Sequence, residues 1–200
     1  MNKTIKKCLK ILFDLDVTKH ALRNDGKIAK EILEECDSIL KHVFGYKLVA
    51  IPEKHQYILV NNIRVDDPKL IDRTPESYQT IGILLPVLAV IFMNNDELKE
   101  DEMWKFLAKL GCDVDIKTPI NGLDLSIKEL LINRWTRQLY LVHEKVPMSD
   151  PPEYVFRWGF RAHHEVDKMS ILKFVCENYD GEMKPEMWKQ QFKRATEMSQ

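Results

Sequence analysis

The sequence predicts a mainly α fold with small β wings (α+β), arranged as tandem winged-helix units. Three observations predict it. Residues 139–163 read as strand, proline-rich turn, aromatic strand and helix start. A weaker copy of that order, a helix and then two short strands, precedes it over residues 28–61. Between and after these, apolar residues recur at helical spacing.

The elements follow in order. Over residues 3–15, Ile5, Leu9, Leu12 and Leu15 form a helical stripe. Residues 18–23 read as a short helix that Gly26 breaks. Ile28, Ile32, Cys36, Ile39, Leu40 and Val43 mark a longer amphipathic helix. Gly45 closes it as a C-cap, because glycine takes a left-handed φ without strain. Residues 46–51 and 56–61 are strands around Pro52-Glu53-Lys54-His55. Residues 62–77 are polar and contain Pro68 and Pro75. The expected units are therefore 1–63 and 78–200, with 64–77 as the linker.

The second unit repeats the plan. A long apolar helix is expected over 78–93, with Pro86 kinking it or sitting where a missing hydrogen bond is tolerated. A helix over 100–110 stops at Gly111. The next helix starts at one of two caps: Ser126 with Glu129 as a capping box, or Asn133 ahead of Arg134. A strand over 139–146 follows. Ser149-Asp150-Pro151-Pro152 then ends the ladder, since proline has no N–H to give. Tyr154, Phe156 and Trp158 alternate with Val155 and Arg157, as in a strand with one buried face. Gly159 ends that strand, a helix spans 161–178, and Pro185 opens a final helix with Met187, Trp188 and Phe192.

Composition narrows the function. Of 200 residues, 44% are hydrophobic, enough for a proper core. Thirty basic residues face thirty-one acidic ones, a net charge of -1, which argues against a dedicated nucleic-acid binder. Cys8, Cys36, Cys112 and Cys176 are too scattered for a zinc site or a disulfide framework, so reduced thiols in an intracellular protein are expected. The N-terminus has no apolar signal core, and the apolar run 81–93 is too short to cross a bilayer, so no membrane partner is expected.

Site chemistry is sparse. Phosphate-loop, nucleophile-elbow and His-Glu-x-x-His motifs are absent, so no catalytic residue, metal or cofactor is expected. His163 and Asp167 would share a helix face four residues apart, a spacing metals use but solvated surfaces use more often. The acidic run Asp96, Glu97, Glu100, Asp101 and Glu102 reads as charge complementing a helix N-terminus. Cys176 reads as packing. Lys3, Lys6, Lys7 and Lys10 form a solvated face or a phosphate-contacting patch. Arg134 and Arg137 lie at the second unit's recognition-helix position, which in DNA-binding winged helices enters the major groove. Trp135 and Leu139 interrupt the polar face there. That points to a packed helix, and to DNA contact that is at most electrostatic, through Lys6, Lys10, Arg134 and Arg137. On the helix carrying Met169, Ile171, Leu172, Phe174, Val175 and Cys176, the apolar arc is wide. It is core on both sides, or core on one side and a helix-accepting groove on the other.

The spelling of the second wing resembles a known family. Val146-Pro147-x-Ser149-Asp150-Pro151-Pro152-x-Tyr154-x-Phe156-x-Trp158-Gly159-x-Arg161-Ala162-His163, followed by Lys168-Met169-x-x-Leu172-x-Phe174, is similar to the signature of the MAGE (melanoma antigen) homology domain. The stretches 82–93 and 104–111 resemble that family's central helices, and 43–46 with 57–61 its first wing. The tail with Trp188 and Phe192 resembles the branch that serves as the MAGE-type subunit of the chromosome-maintenance (SMC-type) DNA-repair complex. Two departures stand out: Phe160 replaces a usual proline, and the chain is a few residues longer between Ile120 and Asn133.

The resemblance implies a non-catalytic scaffold in the nucleus, with the cytoplasm as a second compartment. It implies a RING-type ubiquitin ligase partner, met by Ile11, Leu12 and Phe13 where the family has paired leucines. It implies a kleisin partner met by Met169, Leu172, Phe174 and Val175. The rival reading is a freestanding winged-helix DNA-binding regulator, which should present polar and basic side chains along the whole Arg134 helix.

Overall fold

The computed structural model describes residues 26–52, 56–62, 75–120, 123–179 and 183–197. The chain divides into two compact units, Met1–Leu70 and Ile71–Gln200. The stripe over 3–15, the short helix over 18–23 and most of the 64–77 linker lie outside the described residues.

In the first unit, helix α1 (Gly26–Ile39) runs on into a π-helical turn, Leu40–Phe44. Gly45 closes it at φ 68°, its N–H donating to the Leu40 carbonyl, as a glycine C-cap should. Cys36 and Leu40 are fully buried. Val43, expected on the same stripe, is 68% exposed. A π turn takes more residues than an α turn, so an α-periodic stripe runs off the buried face there. Strands β1 (Tyr46–Ile51) and β2 (Gln56–Asn61) pair antiparallel, from Tyr46↔Asn61 to Ile51↔Gln56. Ile58 and Val60 bury the inner face of this wing. Asp37 fastens helix to wing: its Oδ1 accepts the Leu48 N–H at 2.9 Å, and its Oδ2 pairs with Lys41 at 2.5 Å. Partial burial works to raise its pKa, but these bonds prevail and hold the carboxyl below its usual value.

The second unit opens with α2 (Pro75–Met93), which starts three residues before the expected 78. A proline costs little at a helix start, where the missing N–H has no partner to lose. Pro86 lies inside the helix. The carbonyl deprived of a donor belongs to the residue four earlier, Gly82, which is exposed. Beyond α2 come β3 (Leu98–Lys99) and α3 (Glu100–Lys109), whose first turn carries Glu100, Asp101 and Glu102, as the helix dipole favours. Gly111 leaves α3 at φ 77°.

Where a lengthened loop was expected after Ile120, β4 (Lys117–Ile120) and β5 (Leu123–Ser126) form a hairpin with Ile120 opposite Leu123. Helix α4 (Ile127–Glu129) follows and continues as a π-helical turn, Leu130–Trp135. Strand β6 (Leu141–Lys145) starts two residues later than expected, because Leu139 sits in a turn at φ 64°. Strand β7 (Tyr154–Trp158) lies between β3 and β6. Its burial is not a simple alternation. Val155 is buried along with Phe156 and Trp158, because β7 is the central strand of its sheet.

The wing tip between β6 and β7 is rigidly tied. The Ser149 hydroxyl donates to the Val146 carbonyl at 2.9 Å and accepts the Glu153 N–H at 2.9 Å. Gly159 then ends β7 for a steric reason. A Cβ built there would lie 2.2 Å from the Leu139 carbonyl oxygen, so no other residue fits. The approach is fixed by Gly159 N–H to Tyr140 O at 2.8 Å and Arg161 N–H to Leu139 O at 2.9 Å.

The single helix expected over 161–178 is two: α5 (Phe160–Glu165) and α6 (Lys168–Glu177). The break has a local cause. Asp167 is an N-cap, accepting from the Ser170 backbone N–H at 2.8 Å and the Ser170 hydroxyl at 2.7 Å. The final helix differs too. Pro185 opens a separate 3₁₀ turn (Pro185–Met187), and α7 (Lys189–Glu197) begins only after Trp188.

The core of this unit gathers Leu88, Ile91 and Phe92 of α2, Met103 and Leu107 of α3, Leu130, Leu131 and Trp135 of the α4 region, and Phe156 and Trp158 of β7. The Trp158 indole N–H, buried among them, donates to the Leu88 carbonyl at 2.9 Å. One charged side chain shares this core. Lys168 is only 6% exposed, and its Nζ lies 5.2 Å from the Phe92 ring centre and 5.3 Å from that of Trp158. It is held by Asp96 Oδ1 at 2.7 Å, while Asp96 Oδ2 takes Arg194 of α7 at 3.1 Å.

Asp96→Asn leaves the Lys168 ammonium buried without its counter-charge. Urea unfolding should show a loss of about 3 kcal/mol. Adding Lys168→Met should recover most of that loss, because an unbranched apolar chain against two rings needs no counter-charge. Two equally unstable variants would overturn the assignment.

Candidate interaction surfaces

Three regions carry the candidate residues. The first, with Ile11, Leu12 and Phe13 and with Lys6 and Lys10, lies outside the described residues.

The second is the recognition-helix position. Of the two possible caps, the structure selects Ser126. Its hydroxyl accepts the Glu129 N–H at 3.1 Å, and Glu129 Oε2 accepts the Ser126 N–H at 2.9 Å. The helix therefore starts at Ile127, and Asn133 lies inside it. Ile127, Leu130, Leu131 and Trp135 are buried, at the spacing of one helix face. Arg134 is half-buried, and its Nη1 is fully enclosed without a hydrogen-bond partner. Arg137 is exposed. The helix is packed into its own unit, and the two arginines do not form one presented basic face.

The third is α6. Leu172 is fully buried beside Ile171 and belongs to the core, so it cannot line an open groove. Met169, Phe174 and Val175 are half-buried. At about 100° per residue, Met169 and Phe174 lie about 140° apart, on opposite flanks of the helix. Ser170, Lys173 and Glu177 form the exposed polar strip between them. The four candidates are thus one core residue, Leu172, one half-buried residue on the same inward arc, Val175, and two separate apolar margins, Met169 and Phe174. Two further apolar side chains extend this region: Tyr179 is 52% and Met187 58% exposed, and the Tyr179 ring meets Trp188 edge-on at 6.2 Å. Tyr179 had no periodic signal, because it follows the helix end.

The His163–Asp167 pair does not share a helix face. His163 belongs to α5, with its ring 5.6 Å from that of Trp158, and Asp167 caps α6. Desolvation and the nearby Lys168 charge lower the His163 pKa. Cys176 is buried, and desolvation pushes its thiol up, away from nucleophilic use. Among the described residues, no group of three His, Cys, Asp or Glu could hold a metal, and no helix is long and apolar enough to cross a membrane.

Sequence motifs did not reveal a pocket of about 280 Å³ between the start of α3 and the second wing. Trp104, Pro152 and Tyr154 line it together with Lys99, Glu100, Asp101 and Glu153. Each carboxylate is already engaged, Glu100 by His143 and the Trp104 indole, Asp101 by Lys105, and Glu153 by Lys99.

Two helix-and-wing units, the second with its recognition helix buried and apolar margins left on its later helices, place the chain in the winged-helix class. Residues 10–169 match the MAGE homology domain, and the chain belongs to that family. It is 34% identical over 178 residues to the human non-structural maintenance of chromosomes element 3 homolog, covering 88% of this chain and 57% of that protein. It is 33% identical over 183 residues to human melanoma-associated antigen D2, covering 91% of this chain but 29% of that one. The chain thus spans less than two thirds of either relative's length. Among solved structures, a chain of the Nse1-Nse3-Nse4 complex superposes with a TM-score of 0.83 at 29% identity, over 96% of both chains.

The burial of α6 makes a direct forecast. Leu172→Ala should cost about 2–5 kcal/mol in urea unfolding, as a large-to-small change in a filled core does. Phe174→Ala, at a half-exposed margin, should cost clearly less. Equal losses would mean that Phe174 is core as well.

Proposed function

We propose that this chain is a non-catalytic MAGE-domain scaffold within an SMC-type chromosome-maintenance and DNA-repair complex. On this reading it joins a RING-type ubiquitin ligase subunit to a kleisin subunit and works in the nucleus. The observation that carries the proposal is the likeness along 96% of both chains to a member of a three-component assembly, the Nse1-Nse3-Nse4 complex. The margins of α6 support the kleisin side, with Met169 and Phe174 as contacts extended by Tyr179 and Met187. The RING side is assigned to Ile11, Leu12 and Phe13 by family resemblance.

Co-expression of this chain with a RING subunit and a kleisin subunit of that type tests the proposal. A stable three-component complex is expected on size exclusion. Leu12→Ala with Phe13→Ala should remove the RING subunit and leave the kleisin bound, while Phe174→Ala with Met187→Ala should do the reverse. Failure of the intact chain to bind either subunit would end this reading.

DNA contact is proposed as weak and sequence-indifferent. A net charge of -1 leaves only local clusters to meet phosphate. Arg137→Ala should flatten the slope of log affinity against log salt by about 0.7–0.9, the value for one phosphate contact. Arg134→Met should leave the slope unchanged, because that guanidinium is packed inward. Tight, salt-insensitive, sequence-selective binding would instead favour a DNA-binding regulator.

A further inference from the structure

Helix α7 is attached to its unit in an unusual way. Of its side chains, only Gln191 and Ala195 are fully buried, and Ala195 brings a single methyl group to the core. Phe192, and Trp188 just before the helix, are half-buried and pack against the edge of the core. The remaining ties to the end of α2 and the following turn are polar. Gln191 Nε2 donates to the Met93 carbonyl at 3.1 Å, one of the acceptors that a helix end leaves unused. Arg194 Nη1 donates to Asp96 Oδ2 at 3.1 Å. Both ends of that ion pair reach solvent, with Arg194 39% and Asp96 32% exposed, so water and salt compete for it. An open groove lined by Asn95, Gln190, Lys193, Arg194 and Glu197 undercuts the same edge of the helix.

The turn that receives α7 is also held from two sides. Asn95 and Asp96 both adopt positive φ, 65° and 67°, which side-chain-bearing residues seldom do. Lys168 holds the other carboxylate oxygen of Asp96 from within the core. The turn is therefore secured without α7, and loss of α7 need not undo it. At its other end α7 is continuous with the Pro185–Met187 turn, through Phe192 N–H to Trp188 O at 2.7 Å. That turn packs against α6, the helix that carries Cys176. By helical periodicity, Met169 is on the same flank of α6 as Cys176.

We infer that residues 185–197 form a latch. It closes over the Met169–Cys176 flank of α6 through the Arg194–Asp96 pair, and opens as a piece while the rest of the unit stays folded. A terminal segment whose far end is fastened by solvent-accessible polar ties opens in this local way. Resting on the kleisin reading above, the inference adds that a partner helix seeking the Met169 margin competes with α7 for it.

Cys176 is a built-in reporter. It is 4% exposed when the latch is closed, and Cys36 in the other unit is fully buried and serves as the internal control. The experiment uses the full chain without partners and measures peptide-resolved N-ethylmaleimide labelling at constant pH. Salt is raised from about 0.05 M to about 0.5 M, which shortens the screening length from roughly 14 Å to roughly 4 Å. Cys176 labelling should accelerate several-fold while Cys36 labelling and the far-UV circular dichroism stay unchanged. Arg194→Ala should give the fast rate already at low salt, and Arg194→Lys should restore part of the protection. Hydrogen exchange over 189–197 should rise in step with labelling, ahead of α2 and β7. Cys176 labelling indifferent to salt and to Arg194→Ala would overturn the latch, as would labelling that rises only together with Cys36. Because no partner is present, these results are independent of whether the complex assembles.

Discussion

Asp96 is the residue on which the second unit's assembly turns. It stands in the tight turn after α2, and its two carboxylate oxygens bind two cations from helices about seventy and a hundred residues further on. One is Lys168, at the start of α6, with its ammonium against the faces of Phe92 and Trp158. The other is Arg194 on α7. A buried ammonium is tolerable only with a counter-charge and favourable surroundings, and here two aromatic faces and one carboxylate supply them. That requirement fixes where α6 begins relative to α2 and β7. The N-capped break between α5 and α6 places Lys168 at the first position of the new helix, from where its ammonium reaches the core.

A second constraint is steric. The backbone of β7 passes so close to Leu139 that residue 159 can carry no side chain. The close pass lets Gly159 and Arg161 bond back to Tyr140 and Leu139. Those bonds clamp the end of the recognition helix to the start of the last helical layer. With Trp135 fully buried at the same place, the recognition helix serves as core. A winged-helix unit whose recognition helix is used for packing has its remaining apolar margins elsewhere, along α6 and the Tyr179–Met187 corner. That packing, with a net charge of -1, is what favours the proposed scaffold over a DNA-reading regulator.

Much of this was legible along the chain. Gly45 and Gly111 ended their helices at positive φ, as glycine at those points suggested. The Ser126–Glu129 spacing marked a capping box, and the Ser-Asp-Pro-Pro cluster marked the wing. The strands Lys117–Ile120 and Leu123–Ser126 went unread because four residues each are too short to show a clear alternation. The split at Asp167 was legible in principle as an N-cap, but the apolar spacing on either side of it mimics one continuous helix.

The sequence by itself determined the order of helices and wings, the stops and caps, and the family, because these depend on residues within a few positions of one another. Only the tertiary structure decided what each apolar or charged side chain is for. Leu172 and Phe174 are two residues apart on one helix, and nothing local makes the first core and the second margin. Lys168 and Asp96 look like two surface charges until the chain brings them together. Burial and pairing depend on the distant segments that arrive opposite a residue, and those partners are set by packing rather than by periodicity.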